Sequence, residues 1–309
     1  MRYVESRGEN MSNAIEVYGL TKYYGEKRIL SNITFKIKQG EICGLIGENG
    51  AGKTTLMKIL IGSTNYSEGI IKINGRDISS YKIGNIGCII EEPKLYTSLT
   101  AYENMKLYCK LIGITDYSII IELLAMVDLS DEVNTKVVKY SLGMKQRLAI
   151  AISLIGDPKI LIWDEPINGL DPIGIRKIRN LILEINREKN VTFLISSHIL
   201  DELDKVASKY IFINEGMVIK ELSTDSMLAK KYLKIIVDQT DKTISLLQSL
   251  VDKEKIDIDA KTCEIKIPRF EDDIFLINNL LQENQISLID LSFENEDLEK
   301  TYISILEDK

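Results

Sequence analysis

The stretch Gly47-Glu48-Asn49-Gly50-Ala51-Gly52-Lys53-Thr54-Thr55 has the residue types and spacing of a phosphate-binding loop, G-x-x-x-x-G-K-[ST]. The chemistry it suits is the cradling of a polyphosphate. Glycines let successive backbone N–H groups turn inward on a phosphate, the following helix presents its positive dipole end, and Lys53 reaches the outer phosphates. Thr54 then offers its hydroxyl to Mg²⁺. A chance glycine turn is the bland alternative, and the complete motif between an apolar run and a helical pattern weighs against it.

A second group is Ile160-Leu161-Ile162-Trp163-Asp164-Glu165, an apolar run closed by two carboxylates. Such a run suits a parallel strand buried on both faces, and open parallel sheets gather ligands at their strand ends. There Asp164 reaches Mg²⁺, directly or through water, and Glu165 polarises an attacking water; the competing reading is a helix cap or a solvated turn. Trp163 reads as core. His198, the only histidine of the chain, follows the apolar run 191–196. A lone histidine is more often passive, yet the end of a strand in this sheet places it for a phosphate contact. Tyr24 precedes Gly25 in a loop between two expected strands. It either stacks on an adenine ring, worth about 1–3 kcal/mol by analogy with base stacking, or packs on the sheet edge.

These groups need a sheet and helices to position them. Alternation at 15–17 and 33–37 predicts strands, with Gly19, Gly25 and Gly40 as turns. Residues 42–46 lead as a strand into the loop, and Leu56, Ile59 and Leu60 follow at helical spacing. Residues 69–74 and 86–90 read as strands and 101–127 as a mostly helical stretch. Ser141-Leu142-Gly143-Met144-Lys145-Gln146-Arg147 opens a helix over 148–155. Asn168-Gly169-Leu170-Asp171-Pro172 turns into a helix over 173–187, and 210–213 with 217–219 form a hairpin. Beyond Leu222, strand, helix, strand, strand, helix, strand, helix fall near 233–237, 242–250, 256–258, 263–267, 270–281, 286–293 and 297–305. That alternation predicts a small α+β domain, ferredoxin-like in order, with no catalytic constellation. The expected organisation is a tail over 1–13, an α/β nucleotide-binding domain over 14–222 and an accessory domain over 223–309. Arg7-Gly8-Glu9-Asn10 reads as the translation of a purine-rich ribosome-binding site, which makes Met11 the expected start.

Length and composition exclude several classes. A chain of 309 residues accommodates one large and one small domain, and its 45% hydrophobic content fills their cores. A net charge of -7 and a pI near 5.1 argue against a nucleic-acid partner, which calls for a basic face. A nucleotide, met by local amides and one lysine, is unaffected. Cys43, Cys88, Cys109 and Cys263 form no C-x-x-C pair, so neither a disulfide framework nor a zinc site is indicated, and a reduced, cytosolic setting is expected. No apolar run approaches the roughly 20 residues of a membrane span, and the polar first ten residues are unlike a signal peptide.

Across residues 15–222 the sequence resembles the nucleotide-binding subunit of an ABC transporter. Gly47 to Thr54 corresponds to its Walker A loop, the run ending in Asp164 and Glu165 to its Walker B strand and catalytic glutamate. Asn168 to Asp171 matches the D-loop, His198 the switch histidine, Tyr24 the adenine-stacking aromatic, and Tyr140-Ser141-Leu142-Gly143-Met144 holds the signature position. The resemblance implies a P-loop NTPase fold with a RecA-like core, an antiparallel β subdomain and a helical subdomain. It implies ATP and Mg²⁺ as cofactors, Lys53, Glu165 and His198 as catalytic groups, and Asp171 among the nucleotide contacts. Two such domains are implied to bind head to tail, the second being another copy or a paralogue. Each ATP then lies between one Walker A loop and the other subunit's signature, where the Ser141 hydroxyl and the Gly143 amide complete the phosphate cage. Catalysis is then mainly electrostatic and positional, and closure drives a separate membrane permease at the inner face of the cell membrane.

Two positions depart from the family pattern. The signature L-S-G-G-Q keeps Ser141 and Gly143, while Tyr140, Leu142 and Met144 replace the rest. Glu91 stands where the family's Q-loop glutamine touches Mg²⁺, and Glu92 would stand there after a slip of one residue. A carboxylate ligates Mg²⁺ as well as an amide oxygen does, but adds negative charge beside the γ-phosphate. Glu91, the run from Ser141 to Arg147 and the appended C-terminal domain together look like the bacitracin-resistance and lantibiotic-immunity branch, which implies expulsion of antimicrobial peptides. The alternatives are an exporter ATPase for a drug, ion or lipid, and an ABC ATPase acting on ribosomes or in DNA repair. The latter usually carry paired nucleotide domains or a coiled-coil insertion, and this sequence has neither.

Overall fold

In the computed structural model, which describes residues 12–80, 86–224, 232–252, 255–259, 264–268, 273–294 and 298–307, two alternating runs pair first. They are β1 (Asn13–Tyr24) and β2 (Lys27–Lys38), joined by the turn at Gly25. The expectations on Met11 and Cys263 lie outside the described residues. Gly19 is not a turn. It sits inside β1 at φ 60, between the shifted registers of Val17 and Leu20 against β2, and so forms a bulge that lets the strand continue.

Next come β3 (Ile42–Ile46), α1 (Lys53–Leu60), β4 (Glu68–Ile73), β5 (Arg76–Asp77) and β6 (Ile86–Ile89). The expected helical stretch divides into α2 (Ala101–Leu111) and α3 (Ile119–Met126). Gly113 at φ 83 and the Asp116 carboxylate, which accepts from Ser118 N at 2.9 Å, break it. The helix α4 (Leu142–Ser153) starts earlier than its apolar spacing suggests, because the Ser141 hydroxyl caps it by accepting from Met144 N at 3.2 Å. Then follow β7 (Ile160–Asp164), α5 (Pro172–Lys189), β8 (Thr192–Ser196), the short α6 (Leu200–Asp204), which the sequence did not announce, β9 (Lys209–Asn214) and β10 (Met217–Ser223).

Two sheets organise these elements. One is antiparallel in the order β2-β1-β4-β5; the other has the order β10-β9-β3-β8-β7-β6 and is parallel from β9 to β6. Every residue of β3, β7 and β8 is buried, each large side chain contributing roughly 1.5–3 kcal/mol. Trp163 is core as expected: its ring meets Phe193 edge to face at 5.4 Å and its Nε1 donates to Ser153 Oγ at 3.1 Å. Register sets the site. Leu45 pairs with Ser196, Asp164 with Ser196 and Ile89 with Trp163, so β3, β8, β7 and β6 end together at one edge of the sheet.

The chain divides into two compact units, Met1–Glu221 and Leu222–Lys309. The second holds β11 (Tyr232–Val237), α7 (Thr240–Leu247), β12 (Asp257–Asp259), β13 (Glu264–Pro268), α8 (Asp273–Glu283), β14 (Leu288–Glu294) and α9 (Leu298–Glu307). Its sheet is antiparallel in the order β12-β13-β11-β14. Alternate residues Leu233, Ile235, Ile265 and Ile267 pack one face against Leu247, Ile277 and Leu281.

Candidate functional site: a phosphate loop facing paired carboxylates

The loop after β3 closes tightly. A Cβ at Gly47 would stand 2.2 Å from Ile213 O, so no other residue fits there. Gly52 adopts φ 104 as the N-cap of α1, a left-handed backbone open to glycine. The loop is also tied across: Ala51 N donates to Glu48 O at 3.1 Å, and Gly216 N to Ala51 O at 3.1 Å. Lys53 folds back over this loop and donates from Nζ to Gly47 O at 2.6 Å and Glu48 O at 3.0 Å. Burial lowers its pKa, and the nearby Glu165 and Asp164 pull it partly back up.

Opposite the lysine, the end of β7 carries the acids. Thr54 Oγ1 donates to Asp164 Oδ2 at 2.8 Å, and Ser196 Oγ donates to Asp164 Oδ1 at 2.5 Å. The next residue, Glu165, turns at φ 51, with its N–H donating to Ser196 Oγ at 3.0 Å and its C=O accepting from Gln146 Nε2 at 3.4 Å. Its carboxylate comes round to His198: Oε2 lies 2.6 Å from Nδ1 and accepts from His198 N at 3.3 Å. The elements thus bring Lys53, Thr54, Asp164, Glu165 and His198 into one neighbourhood.

A cavity of about 210 Å³ opens here, lined by Asn49, Gly50, Gly52, Lys53, Thr54, Thr55, Asp164 and Glu165, and by Ile29 of β2. Sequence reasoning missed Ile29, Gln146 and Ser196. Ser196 stands at the end of β8 in register with Asp164, a relation that only the pairing of the strands reveals.

The other expected site residues lie outside that lining. Tyr24 is half exposed at the tip of the β1–β2 hairpin, with Lys22 Nζ 4.7 Å from its ring centroid. Glu91, at φ 59 beyond β6, is bound by Lys58, whose Nζ lies 2.6 Å from its Oε1; this hydrogen bond holds the carboxyl below its usual pKa. Ser141 caps α4, and Asp171 caps α5 by accepting from Gly174 N at 3.0 Å. A Cβ on Gly143 would lie 3.3 Å from Leu170 Cδ2, so the signature and D-loop segments of one chain touch.

Among the described residues, no group of three or more His, Cys, Asp and Glu side chains forms a metal cage. The Thr54 hydroxyl beside the Asp164 carboxylate fits Mg²⁺ all the same. That ion prefers hard oxygen donors, keeps several waters, and binds through one or two carboxylates together with substrate phosphates.

The comparisons with known proteins agree with this geometry. The family model described as ABC transporter matches residues 30–168. The bacitracin transport ATP-binding protein BcrA of Bacillus licheniformis is 36% identical over 301 residues, covering 96% of this chain and 98% of that protein. The lantibiotic transport ATP-binding protein SrtF of Streptococcus pyogenes is 47% identical over 211 residues, covering 68% of this chain and 91% of that protein. Among solved structures, the dimeric post-hydrolysis state of the ATP-binding cassette MJ0796 bound to ADP and Pi aligns with a TM-score of 0.62 at 26% identity, over 68% of this chain and 98% of that one. With the P-loop, the paired carboxylates and these likenesses together, the chain belongs to the ATP-binding, ATP-hydrolysing subunits of ABC transporters.

Proposed function

We propose that this ATPase works at the cytoplasmic face of the cell membrane, where two nucleotide-binding subunits close on ATP and power a permease that expels antimicrobial peptides. Support for the cargo comes from the relatives named for bacitracin and lantibiotic transport. No described helix is long and apolar enough to cross a membrane, so the path for the peptide belongs to the permease.

The observation that carries the chemistry is the chain of contacts Thr54–Asp164–Ser196–Glu165–His198 beside Lys53. ATP binds with its phosphates on the loop residues Gly47 to Thr55, and Tyr24 stacks on the adenine. Thr54 and Asp164, joined by Glu91 once it leaves Lys58, would hold Mg²⁺, which would supply positive charge against the phosphates. Glu165 accepts a proton from water as that water's oxygen bonds to the γ-phosphorus; the bond from the β–γ bridging oxygen breaks, leaving ADP and phosphate. Lys53 offsets the charge on the transferring group, and His198 holds the Glu165 carboxylate and meets the γ-phosphate. Ser141 and Gly143 of the second subunit close the far side, with Asp171 near the joint. The unit Leu222–Lys309, whose strand order suits a ferredoxin-like chain, is an accessory domain.

The test is deletion of the gene in its native host, with growth measured against bacitracin and a lantibiotic. Lowered tolerance, restored by the intact gene but not by one encoding Glu165→Gln, is the expected result. Unchanged tolerance to both would remove the peptide-export reading.

A further inference from the structure

We propose that Lys58 is a positioning residue for the magnesium–nucleotide site, acting through Glu91; this rests on the reading of Glu91 as a Mg²⁺ ligand. Lys58 lies on α1 one helical turn beyond Thr54, on the same face. Its Nζ is 2.6 Å from Glu91 Oε1, an ion pair with side chains 32% and 52% exposed. Glu91 holds a left-handed backbone, φ 59, two residues beyond the end of β6. The pair therefore ties the loop after β6 to the helix that binds the phosphates.

Geometry sets the consequence. Thr54 and Asp164 already touch at 2.8 Å, while Glu91 is the one member of the expected metal set held elsewhere, outside the cavity lining. An amide at position 91 would give Lys58 no charge to hold. A carboxylate does, and without a counter-ion it would add a third negative group near Asp164, Glu165 and an incoming polyphosphate. Lys58 thus offsets that charge and keeps Glu91 back, and Glu91 must exchange Lys58 for Mg²⁺ when the nucleotide complex forms. Removing Lys58 frees the carboxylate and makes the site more negative, and both effects strengthen the response to Mg²⁺.

The experiment measures binding rather than turnover. The full chain is titrated with Mg²⁺ at fixed ATP, and bound nucleotide is read by calorimetry or by a fluorescent ATP analogue. Lys58→Met is expected to lower the Mg²⁺ concentration for half-saturation by roughly two- to fivefold, the size an exposed ion pair allows. In a Glu91→Gln background, where only the loss of the lysine charge remains, the same substitution is expected to give a clearly smaller shift, and Lys58→Arg, which keeps the charge, to behave as the parent. Equal shifts in both backgrounds, or no shift with Glu91 present, would overturn the role of Lys58. Unchanged Mg²⁺ dependence in Glu91→Ala alone, which removes the oxygen donor, would instead remove the ligand reading, and the inference with it.

Discussion

Thr54 and Asp164 stand 110 positions apart in the chain, yet Thr54 Oγ1 donates to Asp164 Oδ2 at 2.8 Å. The bond joins the first turn of α1 to the last residue of β7, so the lysine-bearing loop and the carboxylates keep one geometry. Packing of β3, β8 and β7 side by side produces it, since all three end at the same sheet edge.

The second oxygen of Asp164 depends on Ser196, whose hydroxyl also receives the Glu165 N–H. Asp164 and Ser196 are both buried. Ser196→Ala leaves a carboxylate oxygen without its donor, and should cost about 1–3 kcal/mol of stability and weaken Mg²⁺-dependent ATP binding. Denaturant unfolding with nucleotide titration checks this; an unaltered midpoint and unaltered binding would contradict it.

Lys53 yields a sign for proton linkage. Burial lowers its pKa in the free protein, and the phosphates of ATP favour the charged form and raise it. Between those two values the complex binds the proton more firmly, so ATP binding takes one up. Affinity accordingly declines as pH rises through the lowered value, earlier than for an ordinary lysine near 10.4. Calorimetry at alkaline pH, in buffers of different ionisation heat, should register proton uptake, absent in Lys53→Arg. Proton release would contradict the assignment. Lys53→Ala should lose productive ATP binding altogether.

Tyr24 bears Lys22 against its ring and is half exposed. Tyr24→Ala should weaken ATP binding by about 1–3 kcal/mol, while Tyr24→Phe, which keeps the ring, should stay near the parent. Equal affinity in the alanine variant would leave the tyrosine as an edge-packing residue only.

The central strands were legible in the sequence because a strand buried on both faces must be apolar throughout, as in β3 and β7. The phosphate loop was legible because its glycines answer steric demands, the close approach of Ile213 O at Gly47 among them. Ser196 and Gln146 were not. Their roles arise from register and from packing of α4 near Glu165, and no local period records either. Gly19 misled because a glycine at positive φ serves a bulge as well as a turn. The pairing of Glu91 with Lys58 was also hidden, since 33 positions separate them and only the sheet edge brings them together.

The central claim is an ATP sandwich of two nucleotide-binding subunits with Glu165 as the group that activates water. Light scattering of Glu165→Gln, with ATP and Mg²⁺ and again without nucleotide, tests it most directly. The mass of one chain is expected without nucleotide and twice that mass with it, together with bound, slowly hydrolysed ATP. A mass that stays that of one chain while ATP is bound, or ATP hydrolysed at the parent rate, would contradict it.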